Sequence, residues 1–301
     1  MIVVTAAEGD PMTTERISVD CPEGRLSVVT AGVPGNPPVL LLSGAGQDNA
    51  ELSWKHLVPA LAVDHHVIAP DWPKQGHSRD WRGVADHAAL LRVISAVLDH
   101  VGVGRAAVVG MSQGGAMTLA YAIEHPDRVE RLVAIAPAGT LSFPPVVHQL
   151  LWLTARSRFL NTTVPGLLMR SRRGVERFVR ASLVPGPVAD FDEIVDEVLA
   201  EARRSGTGSS DWQNASIGPW RMRVDLRPRL SEIRCPALFV QGGRDIGVPP
   251  ARTEQAAALV PGARLEIIDE AGHWVNRQCP ERVNTLVREF LAGGVGAAGT
   301  T

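Results

Sequence analysis

Tyrosine occurs once in this chain of 301 residues and cysteine three times; no apolar run is long, and neither charge sign dominates. Each shortage excludes something. Cys21, Cys235 and Cys279 are odd in number and widely spaced, with no Cys-x-x-Cys among them. They form no disulfide framework and read as idle thiols of a reducing compartment. No apolar run approaches the roughly 18 residues needed to cross a bilayer. The first residues carry Glu8 and Asp10, with neither a basic region nor an apolar core, so they do not read as a secretory signal. Residues 1–15 are expected to be disordered, with Met12 a possible alternative start. A net charge of −2 and a pI of about 6.5 give no electrostatic footprint for nucleic acid or an anionic membrane. The expectation is a cytoplasmic protein that meets a small molecule, needs no cofactor or metal, and has an open oligomeric state.

What is present is a foldable chain, 45% hydrophobic and 21% charged. That suffices for one large α/β domain with an insertion, or two modest domains. The stretches around Arg16–Asp20 and Arg25–Thr30 flank Pro22-Glu23-Gly24 and read as a hairpin. Val39–Leu42 is a continuous apolar run, the mark of a strand buried on both faces. It ends in Ser43-Gly44-Ala45-Gly46, small residues whose backbone N–H groups can point into a cleft, with Gln47, Asp48 and Asn49 able to line it. Helical spacing covers Trp54–Leu61 and Val84–Val101, around a strand at His65–Pro70. His65 and His66 have no third ligand nearby and read as strand-entry residues. Asp71 reads as the organiser of the following loop through backbone hydrogen bonds, and His77 as loop surface.

Arg105–Met111 is the next strand, and it leads into Gly110-Met111-Ser112-Gln113-Gly114 and a helix from Gly114 to His125. Strand, sharp turn and helix with serine at the apex make a nucleophile elbow. Side chains at 110 or 114 would clash in so tight a turn, and the Gln113 N–H sits at a helix N-terminus, where negative charge is stabilised. Val129–Ala136 is another buried strand. From Leu141 to Arg229 the strands stop and apolar residues and arginines mix at helical spacing. This reads as a mostly helical insertion, packed by aromatics such as Trp152, Trp212 and Trp220, its arginines a solvated face. Strands resume at Ala237–Gly242, which ends at Asp245, and at Ala263–Ile268, which leads to His273; a final helix runs from Pro280 to Leu291. The Gly- and Ala-rich tail, 293–301, reads as flexible.

Strand and helix alternate on both sides of the insertion. The expected fold is therefore α/β, a mostly parallel eight-stranded sheet with helices on both faces and a helical cap. The core would be 16–140 and 230–292, and the cap 141–229. Ser112, Asp245 and His273 each follow a strand, so the carboxyl ends of one sheet would gather them. Each role has a chemical need. A serine hydroxyl requires a base, which His273 supplies near neutral pH, and Asp245 would hold the other ring nitrogen. The N–H groups of Ala45 and Gln113 would receive an oxyanion. Gly44, Met111 and Trp274, beside these residues, are the candidate substrate contacts.

The chain resembles the α/β-hydrolase fold superfamily, in the capped group of esterases, carbon–carbon bond hydrolases, perhydrolases and dehalogenases. The resemblance spans about residues 16–292. It rests on Leu42-Ser43-Gly44-Ala45-Gly46, Asp71-x-Pro73-x-x-Gly76-x-Ser78, Gly110-x-Ser112-x-Gly114-Gly115, Gly242-Gly243-Arg244-Asp245 and Gly272-His273-Trp274. Ser43 stands where the family often has histidine, and Lys74 where glycine is usual. Serine at 112 separates the chain from the haloalkane dehalogenases and epoxide hydrolases, which use aspartate there. The resemblance implies an acyl-enzyme hydrolase of esters or lactones. Carbon–carbon hydrolysis or cofactor-free lyase or cyclase chemistry on the same three residues is the first alternative. A ligand-binding receptor with little turnover is the second.

Overall fold

The computed structural model describes residues 13–157, 159–205 and 210–293. Of residues 1–15, expected to be disordered, 1–12 lie outside the described residues and Glu15 already begins a strand; of the flexible tail expected at 293–301, residues 294–301 lie outside them. Eight strands form one sheet: β1 (Glu15–Cys21), β2 (Gly24–Ala31), β3 (Pro38–Leu42), β4 (His66–Pro70), β5 (Ala106–Met111), β6 (Val129–Ile135), β7 (Ala237–Gly242) and β8 (Arg264–Ile268). Their order is β1-β2-β4-β3-β5-β6-β7-β8. β1 and β2 are antiparallel to each other, β2 is antiparallel to β4, and every other pairing is parallel.

The apolar runs explain the sheet's centre. β3, β5 and β7 are buried on both faces. Alternate residues serve opposite layers. Val39 and Leu41 of β3 join one core cluster and Leu40 and Leu42 the other, as a period of two requires. Each such side chain, fully buried, contributes about 1.5–3 kcal/mol.

On the core's flanks lie α1 (Ala50–Trp54), α2 (Leu57–Ala62), α3 (His87–His100) and α4 (Gln113–Glu124). The single helix expected at Trp54–Leu61 is two. Asn49 caps α1 by accepting the Leu52 N–H at 2.9 Å, and the helix breaks before α2. α3 starts later than its apolar pattern suggests because Asp86 caps it, accepting the Ala89 N–H at 3.0 Å. Its buried residues Leu90, Val93, Ile94, Val97 and Leu98 follow helical spacing.

Between β6 and β7 the described residues are helical: α5 (Pro145–Arg156), a π-helical turn (Phe159–Thr163), α6 (Val164–Leu168), α7 (Arg172–Phe178), a second π-helical turn (Val179–Leu183), α8 (Phe191–Ser205), α9 (Asp211–Ser216) and a 3₁₀ turn (Arg227–Glu232). Residues 164–183, whose apolar spacing alone would allow one helix, form three short pieces, with Ser171 capping α7 through the Gly174 N–H. Two buried polar clamps hold α8 to the core. Glu201, fully buried, accepts from Asn49 Nδ2 at 3.0 Å and from the Gly76 N–H at 3.1 Å. Arg277, equally buried, donates to Leu52 O, Glu197 and Asp190, each within 2.8 Å. α10 (Pro250–Leu259), α11 (Val275–Gln278) and α12 (Pro280–Leu291) complete the chain. Among the described residues no helix is long and apolar enough to cross a membrane.

Candidate functional site

The sheet order reverses at β3: the chain passes from β3 out to β4, then returns to β5 on the other side. A crevice opens at such a switch point, beyond the carboxyl ends of the strands. The Gly44–Gly46 loop leaves β3 there, and Ser112 leaves β5. Asp245 follows β7, and His273 follows β8.

The turn at Ser112 is forced. Its φ is 53° and ψ −112°, a left-handed, strained backbone for a residue with a side chain, at a cost on the order of 1–3 kcal/mol. Hydrogen bonds on both sides hold it: Ser112 N–H donates to Ile135 O at 2.9 Å, and Ala116 and Ala138 donate to Ser112 O at 3.0 Å. A Cβ at Gly110 would lie 2.2 Å from Gly114 O, and one at Gly114 would lie 1.9 Å from Leu42 O. Only glycine lets helix α4 approach β3 and β5 so closely.

Ser112 Oγ lies 3.0 Å from His273 Nε2, and His273 Nδ1 lies 2.7 Å from Asp245 Oδ2. An ionised carboxylate only accepts, so Nδ1 carries the proton and the bare Nε2 receives the serine hydroxyl. Such a relay draws the hydroxyl proton onto imidazole as the oxygen attacks an electrophile. The Asp245 side chain is fully buried. Its Oδ1 accepts the N–H groups of Gly247 at 2.7 Å and Val248 at 2.9 Å, and its Oδ2 also accepts Gln241 Nε2 at 3.1 Å. Gln241 is fixed in turn by the Thr253 hydroxyl, 2.6 Å from its Oε1. On the histidine side, Gln278 Oε1 accepts the Gly272 N–H at 2.8 Å, and Leu183 O accepts the Trp274 N–H at 2.9 Å. Gln241, Thr253 and Gln278 were not singled out from the sequence. A polar residue inside a strand, as Gln241 is, was the available signal.

The three residues meet at a cavity of about 760 Å³. Gly44, Ala45, Met111 and Trp274 line it, as does Gln47. The expectation that Asp48 and Asn49 line it too is corrected. Both are buried behind the loop, where Asp48 Oδ2 accepts the Gly44 N–H at 2.7 Å and the Ser53 hydroxyl at 2.6 Å. Burial pushes the Asp48 carboxyl up to about 6, against the opposing pull of hydrogen bonds from Ser53, Gly44 and Asn49 and the charge of Arg277. With the Gly44 N–H turned back to Asp48, the Ala45 and Gln113 N–H groups remain as donors; neither is spent on another described residue. The Gln113 side chain is tied to the insertion through its Oε1, which accepts the Ser210 hydroxyl at 2.6 Å.

The insertion supplies the cavity's other wall: Met169, Phe178, Leu183 and Val198 as apolar lining, with Asn161, Arg177 and Gln213 as polar positions. None of these was named as a site residue from sequence, because helical spacing does not disclose which face covers the elbow. Trp220, expected to pack the insertion, is instead exposed, and so is Phe159. Trp212 does pack, and its Nε1 donates to His87 Nδ1 at 3.1 Å. Asp71 shapes its loop as expected, accepting the N–H groups of Ala50 and His77 at 2.9 Å. His77 does have an acid beside it, Asp71 at 3.5 Å, but neither residue lines the cavity. Among the described residues no group of three or more metal-binding side chains is assembled.

Comparison with known proteins places this arrangement in a family. Residues 37–277 match the alpha/beta hydrolase fold. Epoxide hydrolase A of Mycobacterium tuberculosis is 31% identical, over 93% of this chain and 98% of its own length. A 2-hydroxy-6-oxo-6-phenylhexa-2,4-dienoate hydrolase of Burkholderia cepacia is 27% identical, over 85% of this chain and 88% of its own. The crystal structure of a carboxylesterase from Bacillus subtilis superposes with a TM-score of 0.74 at 25% identity, covering 95% of this chain and 94% of that one. Sheet order, elbow and sequence agree, and the chain belongs to the α/β-hydrolase fold family, with hydrolases among its relatives.

Proposed function

We propose that the protein is a serine hydrolase that cleaves a carboxylic ester or lactone through an acyl-enzyme on Ser112. The observation that carries this is the Ser112–His273–Asp245 relay at the floor of a largely apolar cavity. His273 takes the hydroxyl proton as Ser112 attacks the carbonyl, and the N–H groups of Ala45 and Gln113 receive the oxyanion. The tetrahedral intermediate collapses, and the leaving alcohol takes the proton from His273. Water, deprotonated by the same imidazole, then releases the acid. Asp245 stabilises the imidazolium in both halves. Met111, Trp274 and the insertion's apolar wall hold the acyl or alcohol part, with Gly44 beside them on the cavity wall.

The 31% identity to an epoxide hydrolase does not transfer that reaction. A serine that opened an epoxide would become an alkyl ether, with no carbonyl for water to attack, and the enzyme would stop after one event. A carboxylate nucleophile forms an ester, which water can cleave. The residue at 112 therefore argues for acyl transfer.

A second reading keeps the relay and breaks a carbon–carbon bond. The dienoate hydrolase relative favours it, as does Arg177, an exposed guanidinium on the cavity wall that could meet a substrate carboxylate. The test is a panel of activated esters, lactones and a vinylogous diketone against the natural chain and Ser112→Ala. Turnover of an ester or lactone, abolished by the substitution, supports the proposal. Preference for the diketone favours the second reading, and undiminished ester activity of the variant overturns both.

A further inference from the structure

The net charge of −2 hides an uneven distribution. Residues 145–183 hold seven arginines against one carboxylate, Glu176. Arg172 is bound to Glu176, Asp192 and Asp196. Arg156, Arg170, Arg173 and Arg177 are exposed and make no ion pair with any described residue. Soluble surfaces seldom leave so many like charges together without acids between them.

The same elements expose apolar side chains. On α5, Val146, Leu150 and Leu153 recur at helical spacing, so they share one face; Leu150 is 60% and Leu153 54% exposed. Phe159, 61% exposed, continues the patch into the π-helical turn, and Leu167 and Leu168 extend it onto α6. The loop after α9 adds Trp220, 82% exposed, followed by the solvent-facing Arg221 and Arg223. That loop is fastened to α5: His148 Nε2 is 2.9 Å from Gly218 O, and Gln149 Nε2 donates to Pro219 O. Trp220 is therefore held beside α5. Contiguous exposed apolar area of this kind marks a docking site.

Its position adds meaning. Leu160 and Leu168 are exposed and also line the cavity, and so is Arg177; they form its rim. The patch borders the cavity that holds Ser112 at Leu160, Leu168 and Arg177.

We infer that this arginine-rimmed apolar face of 145–183, with Trp220, docks the protein on an anionic phospholipid bilayer, so that the cavity opens toward the lipid. Aliphatic side chains enter the acyl boundary, tryptophan sits at headgroup level, and unpaired arginines meet lipid phosphates. A second copy of the chain fits less well. A two-fold dimer through this patch would set one arginine-rich face against its twin. The overall charge argued against a membrane only because it averages this face with the acidic remainder. The docking does not depend on the proposed ester hydrolysis, since binding is measured without turnover; if both hold, a lipid-dissolved ester reaches Ser112 from the bilayer.

The test is co-sedimentation with 100 nm vesicles, roughly 70% phosphatidylcholine and 30% phosphatidylglycerol, against phosphatidylcholine alone. A basic residue near an anionic surface strengthens partitioning by about fivefold. Arg170→Ala with Arg173→Ala should therefore weaken binding to the mixed vesicles by at least about tenfold, as should Leu150→Asp with Leu153→Asp. Raised salt should release the natural chain. None of these four residues lines the cavity, so activity on a soluble ester and the far-ultraviolet circular dichroism should stay unchanged, which shows that the variants fold. The inference is overturned if the natural chain ignores the mixed vesicles or if both variants bind as well as it does. It is also overturned if sedimentation velocity finds a dimer that Leu150→Asp with Leu153→Asp dissociates.

Discussion

Asp48 links the stability of this fold to the geometry of its cavity, and Asp48→Asn tests both. The carboxylate is fully buried. It accepts three donors: the Gly44 N–H and the Ser53 hydroxyl at Oδ2, and the Asn49 N–H, 2.8 Å from Oδ1. Burial raises its pKa from 3.8 to about 6. A carboxyl whose folded pKa exceeds its unfolded one binds its proton more tightly when folded. Its favourable contribution is fully present below the unfolded pKa and is lost as pH rises through about 6. Above that, ionised Asp48 costs the fold about 3 kcal/mol relative to its protonated form. Between pH 8 and pH 5 the natural chain should thus gain about 1.4 kcal/mol over a variant that does not titrate there. Urea denaturation of both proteins at several pH values reads the difference directly. A stability difference that stays constant from pH 5 to pH 8 refutes the reasoning. The same variant reports on the cavity. Asparagine has one acceptor oxygen, so either the Gly44 or the Asn49 side of the loop faces an amide NH₂. If the Gly44–Ala45 peptide swings, the Ala45 N–H leaves the proposed oxyanion position, and kcat on an ester should fall up to about 100-fold with KM little changed.

Three further outcomes follow from the same structure. Asp245→Asn keeps the shape but removes the charge facing His273 Nδ1, and kcat should fall on the order of 10⁴-fold, measured on whichever ester is turned over best. Gly114→Ala sets a methyl 1.9 Å from Leu42 O; because that atom is backbone, the protein should lose more than about 3 kcal/mol in chemical denaturation or fail to fold. Glu201→Ala strips acceptors from Asn49 Nδ2 and the Gly76 N–H. It should cost on the order of 2–3 kcal/mol and speed hydrogen exchange in α8 ahead of the sheet.

The sheet was legible because buried parallel strands leave continuous apolar runs. Val39–Leu42 and Ala237–Val240 lie where those runs are, fully or almost fully buried. The elbow was legible because its glycines answer a local steric demand, and Asp245 and His273 because each ends a strand of the same sheet. Helix boundaries were less so. The start of α1 at Ala50 is set by Asn49 as cap, a signal weaker than the apolar spacing that points to a helix from Trp54. The polar residues that fix the site were not legible. Gln241 meets Thr253 across 12 positions, and Glu201 meets Asn49 across 152; apolar periodicity carries no information about which buried polar groups pair. The arginines of 145–183 could be counted in the sequence. That several lack acidic partners and border exposed leucines emerges only when α5, α6 and α7 are placed against the cavity.

The central claim is that Ser112 carries the acyl group. It is tested most directly by acid-quenching the enzyme during turnover of an activated ester and mapping its peptides by mass spectrometry. The account predicts that the peptide containing Ser112 gains the mass of the acyl group, that the adduct appears within the first turnover, and that Ser112→Ala abolishes both adduct and turnover. Turnover that persists in Ser112→Ala, or an acyl group found on another residue, would contradict it.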